Sequence, residues 1–135
     1  MNKPKIVTLC GSSKFCDIMA VAAWLIEKKE NALTMGLHLL PDWYFNIPVD
    51  DHLAEHEGVA DQMDDLHMRK IDLCDEIFVV NYNDYIGEST TNEIKYAQKL
   101  GKKIRWYTHD RIGRDIDKLI TKEEIRYRGF LCKQK

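Results

Sequence analysis

No apolar run in these 135 residues comes near the ~20 residues that a membrane-spanning helix needs. Nothing resembles a signal peptide either, because Met1-Asn-Lys-Pro-Lys5 leads directly into a short apolar run. No single sign of charge dominates: 20 basic residues stand against 22 acidic ones, a net charge of −2. Such a balance offers no global field to a nucleic-acid polymer or an anionic membrane surface. The locally basic stretch from Arg126 to Lys135 reads as a solvated tail. The four cysteines, Cys10, Cys16, Cys74 and Cys132, include no CxxC pair, which speaks against a disulfide framework or a zinc ribbon. They read as reduced, buried thiols of a cytoplasmic protein. Internal repeats, low-complexity segments, GxGxxG and the P-loop are all missing. What is present is a chain 44% hydrophobic and 31% charged, with a length that suits one globular domain over residues 1–135.

Short apolar runs alternate with helical patterns. Ile6-Val-Thr-Leu-Cys10 predicts a buried strand that ends in the turn Gly11-Ser-Ser13. Phe15, Ile18, Met19, Ala22, Ala23, Leu25 and Ile26 then share one broad helical face, and Asn31 ends the helix. Leu33 to Leu40 predicts a second strand with Gly36 as its weak point, closed by Pro41. Asp42 to Pro48 is aromatic and irregular. Asp50 to Glu57 suggests a short helix, and Val59 to Cys74 a longer one with Met63, Leu66, Ile71 and Cys74 inward. A third strand is expected over Glu76–Asn81, a helix over Ser89–Leu100 and a strand over Lys103–Tyr107. Beyond Asp110 the pattern weakens to a helix over Asp115–Ile120 and an edge strand or strapped tail at Ile125–Tyr127. Strands alternating with helices imply an α/β domain with a mostly parallel sheet covered on both faces.

In an open α/β sheet the ligand site forms at the carboxyl ends of the strands. Two junctions there carry chemistry. Gly11-Ser12-Ser13-Lys14 joins a strand to a helix, where amides and helix dipole suit an anion, or where Ser12 or Ser13 simply caps the helix. Thr90-Thr-Asn-Glu93 matches a capping box, in which Glu93 reaches back to the Thr90 amide. Alternatively, the Glu93 carboxylate faces the cleft. His67 shares a helix face with Met63, Ile71 and Cys74 and is either a satisfied core group or a catalyst. Asp72 and Asp75 sit unfavourably near that helix's C-terminus, so one of them turns into the cleft or caps the next strand. Trp43, Tyr44 and Phe45 form either an aromatic wall for a flat ligand or a hydrophobic plug. His52-Leu-Ala-Glu-His56 has the order of a zinc-peptidase motif, but Gly58 breaks its helix too soon, and no metal is expected.

Together Leu9-Cys-Gly-Ser-Ser13, Ile71-Asp-Leu-Cys-Asp-Glu-Ile-Phe-Val-Val80 and Gly87-Glu-Ser-Thr-Thr-Asn-Glu-Ile-Lys-Tyr-Ala97 resemble the nucleoside 2-deoxyribosyltransferase superfamily. That group includes deoxynucleoside monophosphate N-glycosidases. The resemblance covers residues 5 to about 107 in motif order and spacing. It implies a flavodoxin-like, Rossmann-like three-layer sandwich of four or five mostly parallel strands. It further implies a nucleophilic Glu93 and sugar or 5′-phosphate contacts from Gly11, Ser12 and Ser13. Lys14, Trp43, Asp72, Gly87, Glu88 and Ser89 complete the expected substrate-binding set. A cofactor is not implied, the partner is a small nucleoside or nucleotide, and a homo-oligomer is expected.

Two family aspartates are replaced here, one by His67 and one by Gly87, beside Glu88. The residue types nevertheless fit cleavage of an N-glycosidic bond. A carboxylate stabilises the oxocarbenium-like state or forms a glycosyl ester. Histidine, which titrates near neutrality, protonates the departing base. Tyr85 would fix the Glu93 carboxylate by a hydrogen bond. The alternative is a nucleotide-sensing domain of the same fold that turns nothing over.

Overall fold

The computed structural model describes residues 2–38, 40, 44 and 53–120. Trp43, Phe45, His52, Cys132, the basic C-terminal stretch and the expected edge strand at Ile125–Tyr127 lie outside the described residues. The elements run β1 (Ile6–Gly11), α1 (Cys16–Glu30), β2 (Leu33–Met35), α2 (Leu53–His56), α3 (Ala60–Leu73), β3 (Glu76–Val80), α4 (Glu88–Lys99), β4 (Lys103–Trp106) and α5 (Arg111–Leu119). Single 3-10 turns at Ser13–Phe15 and Tyr82–Asp84 follow β1 and β3. The described strands form one all-parallel sheet in the order β2-β1-β3-β4. Among the described residues no helix is long and apolar enough to cross a membrane.

Alternation along the central strands makes the layers. Val7, Leu9, Phe78 and Val80 pack with Ile18, Met19, Ala22 and Ile26 of α1 and with Ile112 and Ile116 of α5. Cys10, Ile77 and Val79 point the other way, onto Ile71 of α3, Cys74, and Ile94 and Ala97 of α4. Every residue of β3 is buried, as a central parallel strand covered on both faces must be. The result is a flavodoxin-like three-layer sandwich.

Several elements differ from the sequence pattern, each for a local reason. Strand β2 stops at Met35 instead of reaching Leu40. Its last pairing is Thr8 with Met35, and the next carbonyl, that of Gly36, accepts from the Lys70 ammonium at 2.6 Å. Helix α5 starts at Arg111 rather than Asp115, because the Asp110 carboxylate caps it by accepting from the Ile112 amide at 2.9 Å. Leu66 is exposed, not inward. The stripe of α3 that faces the sheet instead runs through His67 and Ile71 to Cys74.

The α1/α5 side also holds a charged cluster that the apolar pattern does not reveal. The Arg105 guanidinium bonds Glu30 at 2.7 Å and 2.9 Å, Glu76 at 3.2 Å and Asp110 at 2.9 Å, and it lies 5.4 Å from the Phe78 ring centroid. Lys5 adds contacts to Glu30 and Glu76. This network ties the end of α1 and the start of α5 to the sheet.

Candidate active site

Strand order reverses between β1 and β3. Chain leaving β1 crosses to one face and chain leaving β3 to the other, so the crevice of an open α/β sheet lies at their carboxyl ends. The two strands approach closely there. A side chain on Gly11 would place its Cβ 3.2 Å from the Val80 Cβ and 3.3 Å from the Val80 carbonyl oxygen.

Helix α4 delivers Glu93 to this place, though not as a capping box would. The helix begins at Glu88 with Gly87 as N-cap, so Thr90 lies inside the first turn and Glu93 in the second. The Gly87 carbonyl accepts from the Thr91 amide at 3.0 Å and from its hydroxyl at 2.9 Å. Thr90, Glu93, Ile94 and Ala97 are buried together, an i, i+3, i+4, i+7 stripe facing the sheet. Glu93 therefore projects from a core-facing position, and its Oε1 has no hydrogen-bond partner.

It meets two other buried side chains from different elements. Cys10 is the last inward residue of β1 before Gly11, and His67 lies on α3. The Cys10 Sγ is 3.4 Å from the His67 Nε2, and that Nε2 is 3.6 Å from the Glu93 Oε1. At 3.6 Å the second contact is electrostatic rather than a hydrogen bond. Relative exposures of 0%, 3% and 6% for Cys10, His67 and Glu93 put all three out of bulk water.

Burial decides their charge. It pushes the Glu93 carboxyl up to about 7, against hydrogen bonding from Cys10 and with a smaller push from Asp64. It pulls His67 down to about 4, with Lys70 adding to the effect. It also raises the Cys10 thiol well above its ordinary range, reinforced by the Glu93 charge. His67 is consequently neutral at pH 7. The expectation that it titrates near neutrality and protonates a leaving base is corrected, because desolvation disfavours the imidazolium.

The other expected site residues take different places. The Ser12 hydroxyl accepts from the Lys14 amide at 3.2 Å, and the Phe15 amide donates to the Ser12 carbonyl at 2.9 Å. Ser12 thus caps the 3-10 turn Ser13–Phe15 that leads into α1. Ser13 is exposed and Lys14 half-buried, with the Lys14 ammonium 3.8 Å from the Tyr85 ring centroid. Tyr85 is not hydrogen-bonded to Glu93 among the described residues. Its ring instead stacks edge-on against Phe15 at 5.9 Å, because the turn after β3 carries it toward the first loop.

Asp72 is also corrected. It is exposed, at the C-terminal end of α3, where the Tyr96 hydroxyl donates to its carboxylate. The end of α3 lies beside the start of β3, at the amino edge of the sheet and away from the crevice. Asp75 caps β1 there, accepting from the Ile6 amide at 2.8 Å. Glu88 and Ser89 are exposed on the first turn of α4, and His56 is exposed on the short α2. Trp43 lies outside the described residues.

The site residue that sequence reading missed is Cys10. A signal for it exists: it immediately precedes Gly11 and alternates with Leu9, which places it on the α4 side of β1.

The chain matches no family model and no curated protein.

Proposed function

We propose that the protein cleaves the N-glycosidic bond of a nucleoside or nucleoside 5′-monophosphate, with Glu93 as nucleophile. One observation carries this reading: a buried carboxylate stands beside the end of β1 at the β1/β3 switch point, its Oε1 3.6 Å from the His67 Nε2 and bonded to none of its own helix's amides. The motif resemblance supports the sugar class. Ionised Glu93 attacks C1′ as the bond to the base breaks, and the base leaves with the electron pair and takes a proton from solvent. Water then hydrolyses the glycosyl ester, restoring the carboxylate and returning a proton to solvent. Neutral His67 serves as a hydrogen-bonding partner here, with one ring nitrogen facing Cys10 and Glu93.

The test is incubation of the metal-free protein with a panel of nucleosides and their 5′-monophosphates, followed by chromatography for free base. Free base from at least one member is the expected result. No release and no base exchange from any member, with the fold intact, would sink the reading. A ligand that stabilises the fold and is recovered unchanged would favour a sensing module instead. The nucleophile must be ionised, so kcat/KM in chelator-treated protein is expected to rise as pH increases through about 7 and then level off. A profile flat from pH 5 to 9 would exclude Glu93 as the ionising group.

A further inference from the structure

Cys10, His67 and Glu93 offer one sulfur, one imidazole nitrogen and one carboxylate oxygen, all within 4.8 Å of one another and all buried. We propose that these three side chains form a binding site for a zinc-class divalent ion, with a fourth position left for water or an exogenous ligand. The inference stands apart from the glycosidic reading, since it rests on the spacing, burial and charge of the three donors.

Three observations carry it. First, the spacing fits. Zinc bonds of about 2.3 Å to sulfur and about 2.0 Å to nitrogen or oxygen, at tetrahedral angles, place neighbouring donors about 3.3–3.6 Å apart. The S···N and N···O separations are 3.4 Å and 3.6 Å, and the S···O pair lies within 4.8 Å, so the ion would draw the carboxylate or the thiolate in only slightly. Second, the Glu93 Oε1 is more than nine-tenths buried, points at the other two donors and has no hydrogen-bond partner. An unsatisfied buried acceptor is costly, and a cation relieves that cost. Third, the charges balance. A divalent ion with one thiolate, one carboxylate and a neutral imidazole is electrically neutral, so the two anionic forms that burial disfavours are stabilised together. The donors come from β1, α3 and α4, far apart in sequence, which is why no spacing motif announces them.

On binding, the Cys10 S–H bond breaks, its proton passes to solvent, and the sulfur lone pair forms the metal–sulfur bond. Glu93 likewise releases whatever proton it holds. Three-ligand zinc sites with an open position characterise catalytic rather than structural centres. An ion seated here would also occupy the carboxylate assigned above as nucleophile, so Zn2+ is expected to suppress glycosidic turnover reversibly.

Titration of the full chain with Co2+ tests the proposal without reference to activity. The expected result is one ion per chain, with the intense visible bands of four-coordinate Co2+ and a thiolate charge-transfer band in the near ultraviolet. Zn2+ should displace it and raise the melting temperature. X-ray absorption of the Zn2+ form should show a single sulfur at about 2.3 Å with nitrogen or oxygen neighbours at about 2.0 Å. Cys10→Ser should abolish the charge-transfer band and weaken Zn2+ binding by more than about a hundredfold, since a lost ligand costs more than the roughly 10–100-fold of lost outer-shell support. Cys16→Ser and Cys132→Ser should retain both. Absence of a thiolate band in the unaltered protein, or its survival in folded Cys10→Ser, overturns the site. Because the spectrum of the unaltered protein is itself decisive, failure of any variant to fold does not rescue the idea. Positive spectra with no glycosidic activity in chelated protein would defeat the functional reading alone.

Discussion

Glu93→Gln is expected to lose glycosidic turnover by about 10⁴-fold or more, the scale on which removal of a catalytic nucleophile acts, while its stability relative to the parent rises with pH. Below pH 4.5 both folded and unfolded parent chains hold the Glu93 proton, and burial of the carboxyl adds no pH-dependent cost. Between 4.5 and about 7 the unfolded chain releases the proton and the folded chain keeps it, so stability falls as pH increases. Above about 7 the loss is complete, at about 3 kcal/mol for a displacement of this size. Glutamine removes this loss.

His67 acts in the opposite direction. Its stability loss develops as pH falls from 6.5 towards about 4, because the unfolded imidazole gains a proton that the buried one refuses. The two losses offset each other in the parent between pH 4 and 7. In Glu93→Gln only the histidine loss remains, so the variant alone should weaken steadily on acidification. Urea unfolding of both proteins from pH 4 to 9, with chelator present, measures the difference. A difference that is constant with pH, or that shrinks on going from pH 4.5 to 7, would refute the burial account of Glu93.

Gly113→Ala is expected to destabilise the fold by about 3 kcal/mol or more, at the upper end of overpacking costs. Helix propensity alone predicts the reverse, a gain of up to about 1 kcal/mol for alanine over glycine. Geometry decides the sign. A Cβ on Gly113 would lie 1.9 Å from the Tyr107 carbonyl oxygen and 2.8 Å from its carbonyl carbon. These are backbone atoms and cannot rotate away. Tyr107 is held from both sides, its amide donating to the Val79 carbonyl at 2.9 Å and its hydroxyl to Asp117 at 2.7 Å.

Helix α5 would have to lift, which would loosen Ile112 and Ile116 from the core they share with α1. Exposed Lys118→Ala on the same helix should change stability by less than about 0.5 kcal/mol. Equal urea midpoints for Gly113→Ala and the parent would show that α5 does not pack as closely as the structure has it.

Which elements form was legible in the sequence wherever burial is two-sided or periodic. Ile77 to Val80 is a continuous apolar run because both faces of β3 are covered. The face of α1 was legible from the spacing of Ile18, Met19, Ala22 and Ile26. Helix α5 was half-legible: Gly113 weakens the local pattern, yet glycine is there to admit the Tyr107 carbonyl. Asp72 could not be placed by pattern, since its partner Tyr96 belongs to the neighbouring helix.

At the site, Glu93 was legible as a carboxylate on the helix that follows the third strand, and His67 as a polar residue on an apolar stripe. Reading Thr90 as the N-cap failed because capping preferences rank residue types but do not weigh the turn that precedes them. Here the extended backbone of Gly87 sets the first turn, and Thr91 bonds back to its carbonyl.

Local periodicity, read residue by residue, was thus enough to determine an α/β sandwich with a mostly parallel sheet, while it left the acid on α4 open between a helix cap and a cleft carboxylate. Only the packed molecule decided that Cys10, His67 and Glu93 meet, and that burial keeps the imidazole neutral and holds the carboxyl near 7. The reason is physical: strand register, crossover direction and desolvation are set by chain segments many residues apart, and no window along the sequence contains them.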